Sequence, residues 1–303
     1  MEKTNEYGLP ETICQLIDYI EGTYTGSKAD NAISVTTLLE APLIRTLYAE
    51  NKDKIVKDYS NYLSSLIGSV FHEAIANVTS GEGVRAEQRI HLPMVVDGYE
   101  FLLNGEFDYA DNNSVKDYKH TSIHTLNNAG ITAKHEAQLN IYRYMIYKTE
   151  GVLLNRLSNI YIFKDWYQSK VGTYNYPPMM IQEVERRVWE IEETEAYILE
   201  RLRLHLHSPN SCSSKDRWEK EGVPVVYKTS KKTGVKSERA AKVFEAKTPQ
   251  KEIDDYLNGQ RVAHPTFNFD VEVRPAETFV RCRQGYCDMR EFCPLFNATK
   301  DSE

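Results

Sequence analysis

The most informative stretch of the sequence is Leu103-Asn104-Gly105-Glu106-Phe107-Asp108-Tyr109, followed by Asp117-Tyr118-Lys119. Asp117 follows Asp108 by nine residues. Both stretches are typical of β-strands, and Asp111-Asn112-Asn113-Ser114 between them is typical of a turn, so we predict a hairpin. The second aspartate and the lysine lie two residues apart and so share one face of their strand. Two carboxylates and a lysine suit a phosphodiester hydrolase that uses a hard divalent cation. A surface hairpin with solvated charges has the same spacing, and the spacing alone does not separate the two interpretations.

Two helices are predicted on either side of the hairpin in sequence. Leu63 to Ile75 has helical periodicity with a buried apolar stripe, and His72 falls beside that stripe in line with small side chains. Other atoms could approach the helix closely there, although a purely structural histidine is the commoner case. Ala133 to Lys148 is the second helix, with Gln138 and Tyr142 one turn apart on one face. The stripe comprises Leu63, Leu66, Ile67, Val70, Phe71 and Ala74, and the small residues are Ser65, Gly68, Ser69 and Ala76.

In this order the motifs resemble the RecB-like branch of the PD-(D/E)XK nuclease superfamily, over about Ser34 to Phe296. The chain looks most similar to stand-alone nucleases encoded by bacteriophages, relatives of the nuclease domains of AddAB and of the CRISPR adaptation nucleases. Each motif is short, and it is the order of five that makes the resemblance. The matching stretches are Gly68-Ser69-Val70-Phe71-His72, a strand carrying Glu87, Gly105-Glu106-Phe107-Asp108, Asp117-Tyr118-Lys119 and Gln138-Leu139-Asn140-Ile141-Tyr142.

The resemblance implies an α/β fold with a restriction-endonuclease-like core, in which helices flank a mixed central β-sheet. It implies a single nuclease domain over residues 1–303, with a core at about 34–205 and a basic hairpin and cysteine-rich segment at 206–303 that pack back on the core. The implied activity is that of a Mg²⁺- or Mn²⁺-dependent deoxyribonuclease in DNA recombination, repair or degradation. An exonuclease is favoured because no base-reading module is present. The alternatives are a catalytically silent nucleic-acid-binding protein on the same fold and an RNA nuclease.

The resemblance also implies roles for individual residues. Lys119 would steady the attacking water and the phosphate, and Gln138 and Tyr142 would help to position the substrate. For Glu87, an exposed strand carboxylate is an equal alternative. The implied metal ligands are His72, Asp108, Asp117 and the carbonyl of Tyr118. The implied catalytic residues are Asp108, Asp117, Lys119, Gln138 and Tyr142.

The cysteines form a second group of candidate ligands. Cys282, Cys287 and Cys293 lie within twelve residues, and Met1 to Pro10 carries no secretion signal, so we expect reduced thiols that bind metal rather than disulfides. A closed tetrahedral zinc site or a cubane iron–sulfur cluster needs a fourth thiolate. Three reduced cysteines without a metal are the alternative.

Cys212 is the candidate for that fourth thiolate. RecB-like nucleases often carry a four-cysteine iron–sulfur cluster whose first cysteine precedes a proline, where this chain has Ala41-Pro42. Similar phage nucleases have a cysteine before a tryptophan, as here before Trp218. A strand pair from Val223 to Phe244 could bring Cys212 beside Cys282. We therefore predict a structural site with a [4Fe–4S] cluster ahead of Zn²⁺, made of Cys212, Cys282, Cys287 and Cys293.

The distribution of charge indicates which part of the chain could contact a nucleic acid. The net charge of −7 over 303 residues argues against a nonspecific nucleic-acid coat, because phosphate neutralisation supplies most of that affinity. Basic residues are concentrated from Lys228 to Lys247, a predicted hairpin that turns at Lys231-Lys232-Thr233-Gly234. A solvated loop is an equal alternative for this segment. The candidate contacts to the DNA backbone are Lys228, Lys231, Lys232 and Lys236.

We expect DNA as the partner and no membrane, because no apolar run approaches the roughly 20 residues that span a bilayer. The expected location is the cytoplasm, that of the host if the protein is phage-encoded. A recombinase or a single-strand-binding protein is a candidate partner, and an oligomer is left open.

The remaining chain predicts scaffold elements. Helices are expected over Pro10 to Glu21, Thr36 to Glu50 and Ile181 to His205, and a core strand over Asn159 to Phe163. His207 and the histidine that ends the long helix are expected to cap it, because cationic side chains are favoured at a helix C-terminus. The inward residues predicted for the long helix are Val184, Val188, Ile191, Ile198 and Leu202.

Overall fold

The structure, a computed structural model, describes residues 2–23, 29–173 and 175–300. The strands are β1 (Glu2–Thr4), β2 (Ala32–Ser34), β3 (Val56–Asp58), β4 (Arg85–Val96), β5 (Tyr99–Ala110), β6 (Ser114–Thr121), β7 (Arg156–Phe163), β8 (Ile181–Arg186), β9 (Val223–Ser230), β10 (Lys242–Val243) and β11 (Phe267–Arg274). The helices are α1 (Glu11–Thr23), α2 (Val35–Leu38), α3 (Pro42–Asn51), α4 (Leu63–Val78), α5 (Ala129–Glu150), α6 (Ile191–His207), α7 (Gln250–Ala263), α8 (Val280–Arg283) and α9 (Pro294–Lys300).

The chain divides into two compact units, an N-terminal unit (Met1–Ser211) and a C-terminal unit (Cys212–Glu303). This division lies close to the boundary predicted near residue 206. No helix of the described ranges is both long enough and apolar enough to cross a membrane.

The predicted hairpin forms part of a mixed six-stranded sheet in the N-terminal unit. Strand β5 pairs antiparallel with β4 and β6, and β6 pairs parallel with β7, which pairs antiparallel with β8. Strand β2 pairs parallel with β5. Helix α4 contacts β4, β5 and β6, and α5 contacts β4, β6 and β7. The predicted α/β class, with a mixed central sheet flanked by helices, is confirmed.

The main core of the N-terminal unit lies where apolar side chains of the sheet meet α5 and α6. Phe107, Tyr144 and Leu202 are fully buried in it. One close approach depends on a glycine: a Cβ added to Gly105 would lie 2.6 Å from the Cε1 atom of Tyr142. The Tyr142 ring can therefore lie against β5 only because residue 105 has no side chain.

The predicted helix from Ile181 to His205 is wrong in its first part. Residues Ile181–Arg186 form β8, in which exposed and half-buried side chains alternate as a strand requires. Glu183 accepts a hydrogen bond from Ser158 on β7 at 2.7 Å, and Glu185 pairs with Arg156. The helix begins only at Ile191, and two of the predicted inward residues, Ile198 and Leu202, are fully buried on it.

Two other helix predictions need correction. The predicted helix from Thr36 to Glu50 is two helices, α2 and α3, because Pro42 begins the second one and cannot continue the first. The apolar stripe predicted on α4 is not buried throughout. Leu66 is buried, but Ile67 and Val70 are 51% and 45% exposed.

The C-terminal unit contains a three-stranded sheet with α7 against it. Strand β9 pairs antiparallel with both β10 and β11. The turn predicted at Lys231 to Gly234 is confirmed: Ser230 N donates to Val235 O at 3.0 Å, and Gly234 has φ of +68°. The core of this unit comprises Val226, Phe244, Ile253, Leu257 and Phe269.

Candidate metal centre

Three ligand-type side chains from three different elements converge in the N-terminal unit. His72 comes from α4, Glu87 from β4 and Asp108 from β5, and one ligand atom of each lies within 4.8 Å of the other two. Nδ1 of His72 is 3.0 Å from Oε1 of Glu87 and 3.4 Å from Oδ1 of Asp108. Within the described ranges, no other set of three or more histidine, cysteine, aspartate or glutamate ligands is this close.

The backbone of Glu87 is unusual at this point. Its φ is +46°, a left-handed conformation that side-chain-bearing residues seldom adopt. The antiparallel register pairs Ala86 with Tyr109 and Gln88 with Phe107, but Glu87 and Asp108 form no ladder pair. Strained residues of this kind cost about 1–3 kcal/mol and cluster at functional sites. The sequence gives no sign of this strain, and the resemblance left Glu87 as its weakest assignment.

The charge on His72 balances the two carboxylates. Burial lowers the pKa of the imidazole, but the hydrogen bonds and charges of Asp108 and Glu87 outweigh burial and raise it to about 10. The imidazolium is therefore positive at neutral pH. An imidazole nitrogen and two carboxylates are suitable ligands for Mn²⁺ or Mg²⁺, and a bound cation would take over the balancing positive charge. The residues present thus fit a divalent cation.

Asp117 and Lys119 lie beside this group but outside it. Asp117 is 1% exposed; Nζ of Lys119 donates to its Oδ1 at 2.7 Å, and Nδ2 of Asn159 donates to its Oδ2 at 2.9 Å. Burial lowers the pKa of Lys119, but the charges of Asp117 and Asp108 outweigh it and raise that pKa, so the ammonium stays charged. The backbone N–H of Tyr118 donates to Oδ2 of Asp108 at 2.6 Å, which connects β6 to the three-residue group. Asp117 and the Tyr118 carbonyl stay predicted ligands.

Gln138 and Tyr142 lie one turn apart on α5, as predicted, and both are buried. Nε2 of Gln138 donates to the hydroxyl of Tyr142 at 3.1 Å. Burial raises the pKa of Tyr142, so its hydroxyl keeps its proton. Their role in positioning substrate stays a prediction.

An open cavity of about 610 Å³ adjoins the metal-ligand group. His72 and Glu87 line it, together with Arg89 and Glu106, which form an ion pair. A Cβ added to Gly68 would meet nothing within 4 Å, so the expected room beside α4 is present. The small residues that line the cavity are those predicted from the sequence, Ser65, Gly68, Ser69 and Ala76.

The four candidate cysteine ligands all belong to the C-terminal unit. Burial raises the pKa of the Cys212 thiol to about 12, and the charges of Cys282 and Cys293 contribute. Burial raises the pKa of Cys282 to about 11, and Cys287 adjoins it. The segments meet because Lys220 and Glu277 exchange two backbone hydrogen bonds of 2.9 Å, and Arg281 N donates to Arg217 O at 3.0 Å. All five cysteines are free, and Cys14 is buried in the N-terminal unit.

The basic residues of the C-terminal hairpin differ in their surroundings. Lys228 and Lys236 line a cavity of about 750 Å³ together with Arg239 and Tyr256. Lys236 also pairs with Glu272 at 2.5 Å, and Nζ of Lys231 donates to Pro265 O at 2.9 Å. Lys232 is exposed in the turn. Two of the four predicted DNA contacts therefore share one concave surface.

Comparison with known proteins gives no assignment. No family model and no curated protein matches the chain. Among solved structures, the chain is similar to the crystal structure of SSO0001, with 19% sequence identity and a TM-score of 0.47. This similarity covers 68% of the chain and 87% of SSO0001.

Proposed function

We propose that this protein is a Mg²⁺- or Mn²⁺-dependent nuclease that hydrolyses phosphodiester bonds in DNA, as an exonuclease of recombination, repair or degradation. The observation that supports this proposal best is the convergence of His72, Glu87 and Asp108 beside the Asp117–Lys119 pair. An open cavity of about 610 Å³ adjoins them. The choice of DNA follows from the resemblance to RecB-like nucleases.

Each residue of the centre has a definite task in this proposal. His72, Glu87 and Asp108 would hold the cation, with Asp117 and the Tyr118 carbonyl as further predicted ligands. A bound cation would polarise the phosphoryl oxygen and make a water acidic enough to attack. Lys119 donates hydrogen bonds from a charged ammonium to the attacking water or to a phosphate oxygen. Asp117 keeps that ammonium in place through the 2.7 Å contact. Tyr142, which keeps its proton, can only act as a neutral hydrogen-bonding group.

We further propose that the cysteines of the C-terminal unit hold a [4Fe–4S] cluster. Burial of Cys282, Cys287 and Cys293 and the raised pKa of the Cys212 and Cys282 thiols are compatible with a site closed off from solvent. The choice of a cluster ahead of Zn²⁺ follows from the resemblance to RecB-like nucleases. Lys228 and Lys236 would contact the DNA backbone, and the reduced thiols suit the cytoplasm.

The test is digestion of linear and circular DNA by purified protein with Mg²⁺, Mn²⁺ or EDTA. We expect metal-dependent loss of linear DNA, abolished in Asp117→Asn and in Lys119→Ala, because each removes a charge of the catalytic pair. Circular dichroism would check that both variants are folded. Glu185→Gln, on the exposed side of β8, is the matched control and should keep full activity.

The same assay separates the alternatives. Wild-type turnover in either variant would refute the site assignment. If folded, metal-supplied protein binds DNA without degrading it, the protein is a binding module on this fold. Preferential loss of a matched RNA strand would make RNA the substrate.

A further inference from the structure

A chain of buried and partly buried hydrogen bonds runs from Asp117 across the next two strands. Asn159 lies opposite Asp117 in the parallel register of β6 and β7, and Arg186 lies on β8. Nδ2 of Asn159 donates to Oδ2 of Asp117 at 2.9 Å, and Nε of Arg186 donates to Oδ1 of Asn159 at 2.7 Å. Asn159 is fully buried. One amide thus connects the buried carboxylate to a charged guanidinium.

Arg186 also connects this chain of hydrogen bonds to helix α5. Nη2 of Arg186 donates to the hydroxyl of Tyr161 at 2.5 Å, and this hydroxyl lies 2.9 Å from Nδ1 of His135. Burial, with the nearby charge of Lys119, lowers the pKa of His135 to about 4. The imidazole is therefore neutral at neutral pH and shares one hydrogen bond with the Tyr161 hydroxyl through Nδ1.

The direction of both hydrogen bonds of Asn159 is determined. A guanidinium can only donate, so Asn159 must present its carbonyl oxygen to Arg186 and its NH₂ group to Asp117. An ionised carboxylate can only accept, so Asp117 matches that orientation. A flipped amide would place donor against donor at one end and acceptor against acceptor at the other. The guanidinium of Arg186 therefore fixes the orientation of the Asn159 amide, and the amide fixes the orientation of the Asp117 carboxylate.

We propose that Asn159 and Arg186 are positioning residues of the candidate metal centre. They hold Oδ2 of Asp117, so that Oδ1 stays directed at Lys119 and the carboxylate cannot rotate. Neither residue needs to touch substrate or cation to do this. The catalytic consequence of this role rests on the proposed nuclease function. Loss of such outer hydrogen-bond partners typically costs about 10- to 100-fold in metal affinity or activity.

The test compares Asn159→Leu with Arg156→Gln. Leucine has the branched shape of asparagine at Cγ but neither a donor nor an acceptor, so it removes both hydrogen bonds of Asn159. Because leucine is the larger residue, folding of the variant is checked first. Arg156 is the matched control, because it is an exposed arginine near Asn159 on β7 and forms an ion pair with the surface residue Glu185. For each folded variant, Mn²⁺ affinity would be measured by titration calorimetry, and kcat and KM on linear DNA by digestion.

We expect Asn159→Leu to lower Mn²⁺ affinity and kcat by about 10- to 100-fold, with KM for DNA unchanged. Arg156→Gln should change none of the three. If Asn159→Leu does not fold, Arg186→Lys replaces it: lysine keeps the charge but lacks the fork that reaches Asn159 and Tyr161 together. It should reduce Mn²⁺ affinity by a smaller factor.

Two results would overturn the proposal, and they are distinguishable. A folded Asn159→Leu or Arg186→Lys with wild-type Mn²⁺ affinity and kcat would remove the positioning role and leave the nuclease proposal intact. A wild-type protein that neither binds Mn²⁺ nor cleaves DNA would refute the nuclease proposal, and the positioning role with it.

Discussion

Glu87 combines a strained backbone conformation with a side chain in the candidate metal centre. Its positive φ takes it out of the β4–β5 ladder and lets its carboxylate reach His72. A strained residue is retained only where its surroundings or its function require it. We therefore propose that Glu87, like Asp108, is a ligand of the candidate metal centre.

Glu87→Gln should weaken Mn²⁺ binding by at least about tenfold, or ~1.4 kcal/mol, because the amide carries no charge. Titration calorimetry at pH 7.5 would measure this, with Glu82→Gln in the preceding exposed loop as the control. Unchanged affinity in Glu87→Gln would exclude Glu87 from the ligand set.

Two glycines offer a matched pair of stability measurements. A Cβ at Gly105 would lie 2.6 Å from the Tyr142 ring and 2.9 Å from Cγ2 of Val35, whereas a Cβ at Gly68 meets nothing. We expect Gly105→Ala to destabilise the protein by about 1–3 kcal/mol through overpacking. Gly68→Ala should stabilise it by up to about 1 kcal/mol, because alanine favours the helix. Urea unfolding of both variants in EDTA would measure the two free energies, and equal effects would contradict the packing around Tyr142.

The sequence singled out the charged residues of the candidate site better than it singled out the residues that form hydrogen bonds with them. His72, Asp108, Asp117 and Lys119 stand out because charged groups at a fixed spacing are visible in a linear pattern. Asn159, Arg186 and the strain at Glu87 are not visible in that way. Their roles depend on which strands become neighbours, and β8 was not predicted as a strand at all.

At the scale of elements, strand β8 shows why helical periodicity can mislead. Val184, Val188 and Ile191 have helical spacing, yet the first of them lies in β8 and the last begins α6. Asn140 of α5 holds the segment between β8 and α6 in an extended, non-helical conformation. Its Nδ2 donates to Arg187 O at 3.0 Å, and its Oδ1 accepts from Trp189 N at 2.8 Å. These long-range hydrogen bonds override the local preference, and the local sequence does not show them.

Helix α6 is joined to α2 through a buried histidine rather than a cationic cap. Nε2 of His205 lies 3.2 Å from Leu38 O, and burial lowers the pKa of His205 to about 4, against 6.5 ordinarily. The unfolded chain therefore binds a proton between these values that the folded chain does not, so stability rises with pH in this window. The full contribution is present above pH 6.5 and is lost progressively as the pH falls to about 4.

His205→Gln should therefore remove part of the acid sensitivity of the fold. Each pH unit over which only the unfolded chain is protonated costs about 1.4 kcal/mol, so the difference between pH 7 and pH 4 should shrink by about 3 kcal/mol. Urea unfolding at both pH values would measure it, with the exposed His124→Gln as the control. An unchanged difference would mean that His205 is protonated in the folded protein.

For the whole molecule, the sequence predicted one domain with a distinct segment from residue 206 onward, whereas the structure divides into two compact units. The basic and cysteine-rich residues lie after residue 206, and the structure divides at Ser211 and Cys212. Which metal group the four cysteines of the C-terminal unit would bind was not predictable from the sequence, because thiolates bind zinc and iron–sulfur clusters alike.

Loss of one cysteine ligand should loosen the C-terminal unit alone. In Cys287→Ser, limited proteolysis should cut within residues 212–300, while residues 29–173 stay protected, because their sheet and helices do not depend on the thiols. Cys14→Ala, a buried cysteine of the N-terminal unit, is the control. Equal resistance of the C-terminal unit in Cys287→Ser and in Cys14→Ala would mean that no metal group stabilises it.

The positions of the thiols along the chain also affect how the protein is made. Cys212 precedes Cys282 by 70 residues and Cys293 by 81. At about 5–20 residues per second, a ribosome adds the second thiol some 4–14 s after the first. The sheet of the N-terminal unit can be complete before the last ligands emerge. During that interval the other three thiols of the proposed cluster are missing, so we expect Cys212 to be open to oxidation on the nascent chain.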